Sequence, residues 1–425
     1  MGMDMQTQQP LNEFIEKHRA PEQYNDLPLK GVRIIDMATV MAAPYAATIL
    51  GDYGAEVIKV ENPANPDAIR SWGVIEQKDI HPFWAVFGRN KFPVTLNLKQ
   101  PEGKEIFMRL IRSADVLIEN MRPGAMEKLG IGRMDLLQAN PGLIIGTVSG
   151  YGQTGPYSGR PGFGTLAEGF SGFTYLNAQP DGPPTNAPMA LADFITGVHL
   201  GLAVLIALRQ QKRGEYGGQL IDISLYEPLF NWLGADFLTS QLTGEIPQPK
   251  GNELSYVVPR NNYRTKDGRW VTLSGAAQKP FERLMELVGH PEMNADPHFK
   301  TNEERIKDPN RRVINQVISE WVGSRNLQEV IDTCERLGIT IGPIANMQDI
   351  GEDDHYRARE SILKIQDPVT GEVLQIPNMS FRLLGTPGRI RFAGLPLGSA
   401  NEAIYGNLLG YDKAAIAEFK QNGVI

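Results

Sequence analysis

VRIIDMATVMAAPYAATILGDYGAEVIKV, residues 32–60, decides the fold. It opens on a β-branched run, VRIIDM (32–37), and closes on another, EVIKV (56–60). The stretch between them is Ala-rich, with Pro44 near its start and Gly54 at its end, which is the punctuation of a helix. A strand–helix–strand unit of this kind predicts two parallel strands joined by a right-handed crossover. The pattern continues with strand 93–97 (PVTLN), helix 101–113, strand 115–119 (DVLIE), helix 133–139 and strand 143–149 (LIIGTVS). Such alternation predicts an α/β fold built on an open, Rossmann-like parallel sheet.

Beyond residue 150 the texture changes. SGYGQTGPYSGRPGFG is dense in Gly, and NAQPDGPPTNAP is dense in Pro and Asn. Both are too long to be simple connectors and read as functional loops. A helix at 194–211, a strand at 219–224 and an apolar helical stretch at 226–242 follow. The run Phe194–Leu208 is too short to span a bilayer and reads as a buried helix. NYRTKDGRWVTLSG (262–275) predicts a hairpin turning at Lys266-Asp267-Gly268, and LKIQDPVTGEVLQIP predicts a second. Helical patterns at 279–289, 310–323, 327–337 and 412–422 complete the chain. The expected organisation is an N-terminal extension (1–24), a large domain (25–225, completed by 340–425), a linker helix (226–245) and a small α+β domain (246–335).

Composition narrows the function. A formal net charge of −7 argues against a nucleic-acid partner, which wants a basic face. One cysteine, Cys334, excludes a disulfide framework and a cysteine-rich metal site and suits a cytoplasmic setting. The first 28 residues hold no apolar core of signal-peptide length, and no membrane partner is expected. The turn after the first strand, ATVMAAP, lacks G-x-G-x-x-G, and neither G-x-x-x-x-G-K-[ST], H-E-x-x-H nor G-x-S-x-G occurs. The six histidines show no pair at metal-ligand spacing, so no metal is expected.

Four strings carry more than composition does. These are LKGVRIIDMATVMAAPYAATILGDYGAEVIKVENP, NLKQPEGKEIFMRLIRSADVLIENMRPGAMEKLG, SGYGQTGPYSGRPGF and ALADFITGVHLGLAVLIAL. In this order they resemble the class III CoA transferases, the family of formyl-CoA transferase and carnitine CoA-transferase, which also holds the α-methylacyl-CoA racemases. The resemblance runs from about Leu29 to the C-terminus. It implies that Asp193, which by position alone reads as a helix N-cap, is the nucleophile. The implied chemistry passes CoA from an acyl-CoA donor, with succinyl-CoA a candidate, to an organic acid through an aspartyl-CoA thioester. The CoA thioester is then a substrate, and no permanently bound cofactor is needed.

Carried over motif by motif, the resemblance places CoA against Met41 and Ala42, Asn62, Arg70 and Trp72, and Leu96 and Lys99. It adds Asn120, Met121, Ala125 and Lys128 of ENMRPGAMEKLG, with Arg160 and Phe163 of RPGF. Read alone, Lys99 and Lys128 are surface charges and Leu96 is a core residue. Two positions depart from the pattern. Met41 replaces a Gln of formyl-CoA transferase and cannot donate a hydrogen bond, which favours a substrate larger or more apolar than formate or oxalate. Gly164 stands where family members often carry an acid or Asn, and Phe163-Gly164 replaces the His–Asp pair of the racemases, which counts against α-proton transfer. Glu168, one helical turn further on, is either a polar neighbour of Asp193 or a solvated helix residue. A racemase, or a silent CoA-binding subunit of a hetero-oligomer, is the alternative reading. The resemblance also implies a dimer of two interlocked chains, with 194–242 and 327–360 as the linking passages.

Overall fold

The computed structural model describes residues 5–214 and 216–425, which divide into two compact units. The larger holds the chain up to Phe173, Ala187–Phe237 and His355–Ile425; the smaller holds Thr174–Asn186 and Leu238–Asp354. The smaller unit therefore begins at 238 rather than 246, ends at 354 rather than 335, and takes in a loop that the sequence assigns to the large domain.

In the larger unit, α1 (Met5–Arg19) precedes β1 (Arg33–Asp36), α2 (Ala42–Asp52) and β2 (Glu56–Glu61). Then come β3 (Lys91–Thr95), α3 (Pro101–Arg112), β4 (Val116–Glu119), α4 (Arg133–Ala139) and β5 (Ile144–Ser149). Helix α5 (Gly164–Phe170), helix α6 (Leu191–Lys212) and β6 (Gln219–Ser224) complete the sheet. Its order is β3-β2-β1-β4-β5-β6, parallel throughout. The strand order reverses between β1 and β4, and ligands of open α/β sheets bind at the carboxyl ends beside such a reversal.

Strand β3 lies two residues earlier than its apolar run suggests. It sits at the sheet edge, where Pro93 opposes Lys59 and its missing N–H breaks no inner ladder. The C-terminal segment covers that edge: Ala400 N donates to Pro93 O at 3.0 Å, Thr95 N to Asn401 Oδ1 at 2.9 Å, and Tyr405 Oη to Thr95 O at 2.8 Å. The N-terminal extension is also docked, with Leu11 and Ile15 buried in the same core as Phe392, Ile404 and Tyr405.

The alanines of α2 follow from its position between the sheet and α6. Ala42, Ala43, Ala46 and Ala47 are all buried. A Cβ on Gly197 of α6 would lie 2.5 Å from Ala42 O, so the two helices approach at a distance only small residues allow. The other face of α6 is a correction to the expected buried helix. Val198, Leu202, Leu205 and Ile206 are exposed, and at 22 residues α6 is long and apolar enough to cross a membrane. Half of its most apolar stretch is nevertheless packed inside this unit. The expected helical passage 226–242 is broken at Leu233 into Glu227–Trp232 and Gly234–Thr243.

The smaller unit is built on an antiparallel sheet of 260–264, 270–274 and 341–343. The expected hairpin turns at Gly268, whose φ of 78° suits glycine. Helices Gln278–Leu287, Asp308–Gly323 and Leu327–Arg336 pack Phe281, Ile314, Ile318 and Val330 onto it.

Strands buried on both faces also hide charge. Asp36, Lys59 and Lys91 are almost completely buried: Lys91 Nζ lies 2.8 Å from Asp36 Oδ2, and Lys59 Nζ lies 3.7 Å from Asp36 Oδ1 and 3.0 Å from Asp67 Oδ2. Removing one member of such a cluster strands its partners. Asp36→Ala is expected to cost about 3–5 kcal/mol of unfolding free energy. Lys91→Met, which leaves Asp36 beside Lys59, should cost less. Urea titration of both variants checks the order.

Candidate active site

The buried charges end at the turn between β1 and α2 and hold it in an unusual shape. Val40 there has a φ of 68°, strained for a β-branched residue. Its N–H donates to Asp67 Oδ1 at 2.9 Å, and Lys59 Nζ donates to Ala38 O. On the other side, Asn120 grips Thr39 twice, accepting from its N–H at 2.9 Å and donating to its carbonyl at 2.7 Å. Lys91 Nζ also donates to Pro44 O at 2.7 Å. The turn is thus fixed from β2, β3 and β4 at once.

Beside this turn runs a groove in two adjoining parts, of about 520 Å³ and about 230 Å³, which share Thr39, Asn120 and Met121. The larger part is lined by Asn62, Leu96, Lys99, Asn120, Met121, Ala125 and Lys128. The smaller part is lined by Met41, Ala42, Asn120, Met121, Arg160, Phe163 and Asp193. Twelve of the fourteen residues singled out by sequence therefore meet around one groove at the carboxyl ends of the strands. Lys99 and Lys128 are exposed, and among the described residues neither makes an ion pair with an acid. Met41 and Leu96 contribute from within the core.

Arg70 and Trp72 lie outside it. Arg70 gives two hydrogen bonds to Glu61, at 2.8 and 2.6 Å, and a third to Leu395 O at 3.1 Å. Its guanidinium also stacks 3.6 Å from the Trp84 ring. Trp72 is 39 % exposed and packs edge-on against Phe83.

Asp193 is not an N-cap. The cap position of α6 is Ala190, and Asp193 sits three residues into the first turn. The amide of Ala192 is served instead by Glu168 Oε1 at 3.4 Å, while Glu168 Oε2 accepts from Ala187 N at 3.4 Å. Glu168 is only 2 % exposed, which corrects its reading as a solvated helix residue. Gly164 is explained as well. A Cβ on it would lie 1.8 Å from Asp193 Oδ2, so the carboxylate occupies the space a side chain would need. The lack of a side chain at 164 is what admits Asp193.

This packing sets the titration of Asp193. Burial, and then the charge of Glu168, push its carboxyl up to about 6, overriding the favourable field of the helix start.

Several contributors carry no motif signal. Lys59, Lys91 and Asp67 look like ordinary charged residues, because period-2 alternation does not apply to strands buried on both faces. Arg122 lines the recess with Asp193 and, like Arg160, forms no ion pair with an acid among the described residues. Gly150 and Gly162 also line it, and a Cβ on Gly162 would lie 2.5 Å from the Cα of Gly150. Glycine pairs of this kind let two backbones touch, which folds loop 150–164 back beside Asp193.

A carboxyl whose folded value lies above its unfolded one destabilises the fold when ionised. The cost sets in as pH rises from about 4 and is complete above about 6. Asp193→Asn is therefore expected to raise the unfolding free energy by about 1–2 kcal/mol at pH 8 and to change it little at pH 4. Urea denaturation at the two pH values measures this, and a loss of stability at pH 8 would contradict the assigned environment.

Comparison with known proteins agrees with this geometry. The model of CoA-transferase family III matches residues 29–401. The chain is 38 % identical to the succinyl-CoA–L-malate CoA-transferase alpha subunit of Chloroflexus aurantiacus, over 94 % of this chain and 93 % of the relative. It is 30 % identical to the human succinyl-CoA:glutarate CoA-transferase, over 94 % and 90 % respectively. The crystal structure of a CAIB/BAIF family protein from Brucella suis superposes with a TM-score of 0.78 at 28 % identity, covering 90 % of this chain and 99 % of that one. The groove beside the β1–α2 turn, with a half-buried aspartate at one end and two exposed lysines at the other, thus lies in an enzyme of CoA-transferase family III, to which this chain belongs.

Proposed function

We propose that this enzyme transfers CoA from succinyl-CoA to a second dicarboxylic acid, with Asp193 as the nucleophile. The observation that carries the reading is the position of Asp193. It lies at the end of the groove, with its oxygen in the space left by Gly164 and with no side chain donating to it among the described residues. The 520 Å³ part of the groove suits the pantetheine and phosphates of CoA, with Lys99 and Lys128 at its rim.

The chemistry proceeds in four exchanges. An Asp193 oxygen attacks the donor's thioester carbon, the C–S bond breaks, and CoA leaves as thiolate from a mixed anhydride. The thiolate attacks the Asp193 carbonyl carbon, the anhydride C–O bond breaks, and succinate departs from an aspartyl-CoA thioester. The acceptor carboxylate then attacks that thioester, and the released thiolate attacks the acceptor's side of the new anhydride. Acyl-CoA leaves and the Asp193 carboxylate is restored, with no net proton uptake. Each tetrahedral intermediate carries an oxyanion, and Met41, Ala42, Gly162 and Phe163, which line the recess, bring the backbone amides that would receive it.

The acceptor class is read from charge. Arg122 and Arg160 face the recess that holds Asp193, and Arg160 is braced 3.6 Å from the Tyr157 ring. Two guanidinium groups without acidic partners suit substrates with a distal carboxylate beyond the reacting one. The similarity to enzymes named for malate and glutarate supports the same class. Among the described residues no histidine lines the recess, which disfavours the racemase alternative. The exposed apolar stripe of α6 supports a functional unit of two chains, and a cytoplasmic setting remains part of the reading.

Incubation with succinyl-CoA followed by hydroxylamine or borohydride should leave a mass-tagged derivative on Asp193. Asp193→Ala is expected to lower transfer at least about 10³-fold; retention of full activity would refute the assignment. Gly164→Ala, by pushing the carboxylate aside, should cost about 10²-fold in kcat with the fold retained, as checked by steady-state assay alongside thermal melting.

A further inference from the structure

We propose that Glu168 is a positioning residue that sets a second carboxylate against Asp193 and thereby biases the cycle toward the states in which Asp193 is acylated. The proposal rests on Asp193 being the nucleophile.

Glu168 is nearly inaccessible, and no cation pairs with it among the described residues. An isolated buried carboxylate is costly, so its retention calls for a reason. Its two oxygens reach the amides of Ala187 and Ala192, each at 3.4 Å, and a neutral amide side chain would serve only one of them, since its nitrogen donates. What the charge adds is its placement. Gly164 and Glu168 lie four residues apart on α5 and so share one face. The first leaves the gap that Asp193 fills, and the second sets a carboxylate beside it. Glu168 also occupies the Ala192 amide at the start of α6, where the cap residue Ala190 offers no side-chain acceptor. Asp193 is thereby relieved of capping and free to face the groove. The other charged side chains that line the recess are Arg122 and Arg160, and neither makes an ion pair with either carboxylate.

The consequence follows from charge alone. Asp193 is an anion in the resting enzyme and neutral as anhydride or thioester, whereas Glu168 is acylated at no step. Their repulsion is present only before attack and after release. It raises the basicity of the nucleophile, speeds its attack and stabilises the aspartyl-CoA state relative to the free carboxylate.

The test is Glu168→Gln in the full-length enzyme, with succinyl-CoA as probe and no acceptor added. Two quantities are read by mass spectrometry: the pH dependence of the rate at which Asp193 is modified, and the fraction modified at saturation. Loss of the charge should lower the acid midpoint by about half a unit to one unit and the modified fraction by about three- to tenfold. Glu168→Asp, which keeps the charge, should stay near the parent enzyme. An unaltered midpoint and fraction in Glu168→Gln would overturn the proposal while leaving Asp193 as nucleophile intact. Absence of any adduct at Asp193 in the parent enzyme would overturn both. Should Glu168→Gln fail to fold, Glu168→Ser takes its place, and an unaltered midpoint and fraction in that variant would overturn the proposal equally.

Discussion

Everything at the active end of this sheet depends on six charges held in the dry space beneath one turn. Three cations, Lys59, Lys91 and Arg70, meet three anions, Asp36, Asp67 and Glu61, so the set is electrically balanced. Burial alone would discharge the lysines. It does lower Lys91, but for Lys59 it is outweighed by Asp36, Asp67 and Glu61, which raise it. The cluster does not favour the fold by its Coulomb energy alone, since desolvation takes back most of that gain. Its value lies in geometry: the donors and acceptors left over from ion pairing are spent on Ala38, Val40 and Pro44. The turn that opens α2, and with it the wall of the groove, thereby has a single shape.

A second constraint is steric and acts from the opposite side. Helices α2, α5 and α6 meet at distances set by Ala42, Gly164 and Gly197. The place of a missing side chain on α5 is filled by a side chain from α6. Asp193 is thus positioned by an absence, and its ionisation is set by burial and then by Glu168. Electrostatics and packing act on Asp193 through the same short helix.

The strand–helix–strand rhythm of residues 32–149 made the sheet legible, because parallel strands buried on both faces read as apolar runs and their crossovers as helices. The groove was legible only through the four strings and their resemblance to a family. No periodicity in ENMRPGAMEKLG tells that Asn120 would clasp Thr39. What the sequence hid was burial. Lys59 and Glu168 read as surface residues by type, since charge and exposure are correlated in most proteins and uncoupled only at sites like this one. Gly164 looked like a lost function for a related reason: a glycine announces that room is needed, not what the room is for. The edge placement of β3 and the break at Leu233 were missed because both depend on partners distant in sequence.

The covering of β3 has a further bearing, on how the chain is made. The strand is synthesised some 300 residues before the segment around Asn401 and Tyr405 that pairs with its outer edge. Helix α1, still earlier, shares its burial with the same late segment. Throughout elongation a nascent sheet therefore presents a bare edge and an apolar face, the features that invite misassociation. Native closure awaits emergence of that late segment from the ribosome, and crowding on a polysome would fall hardest on that interval.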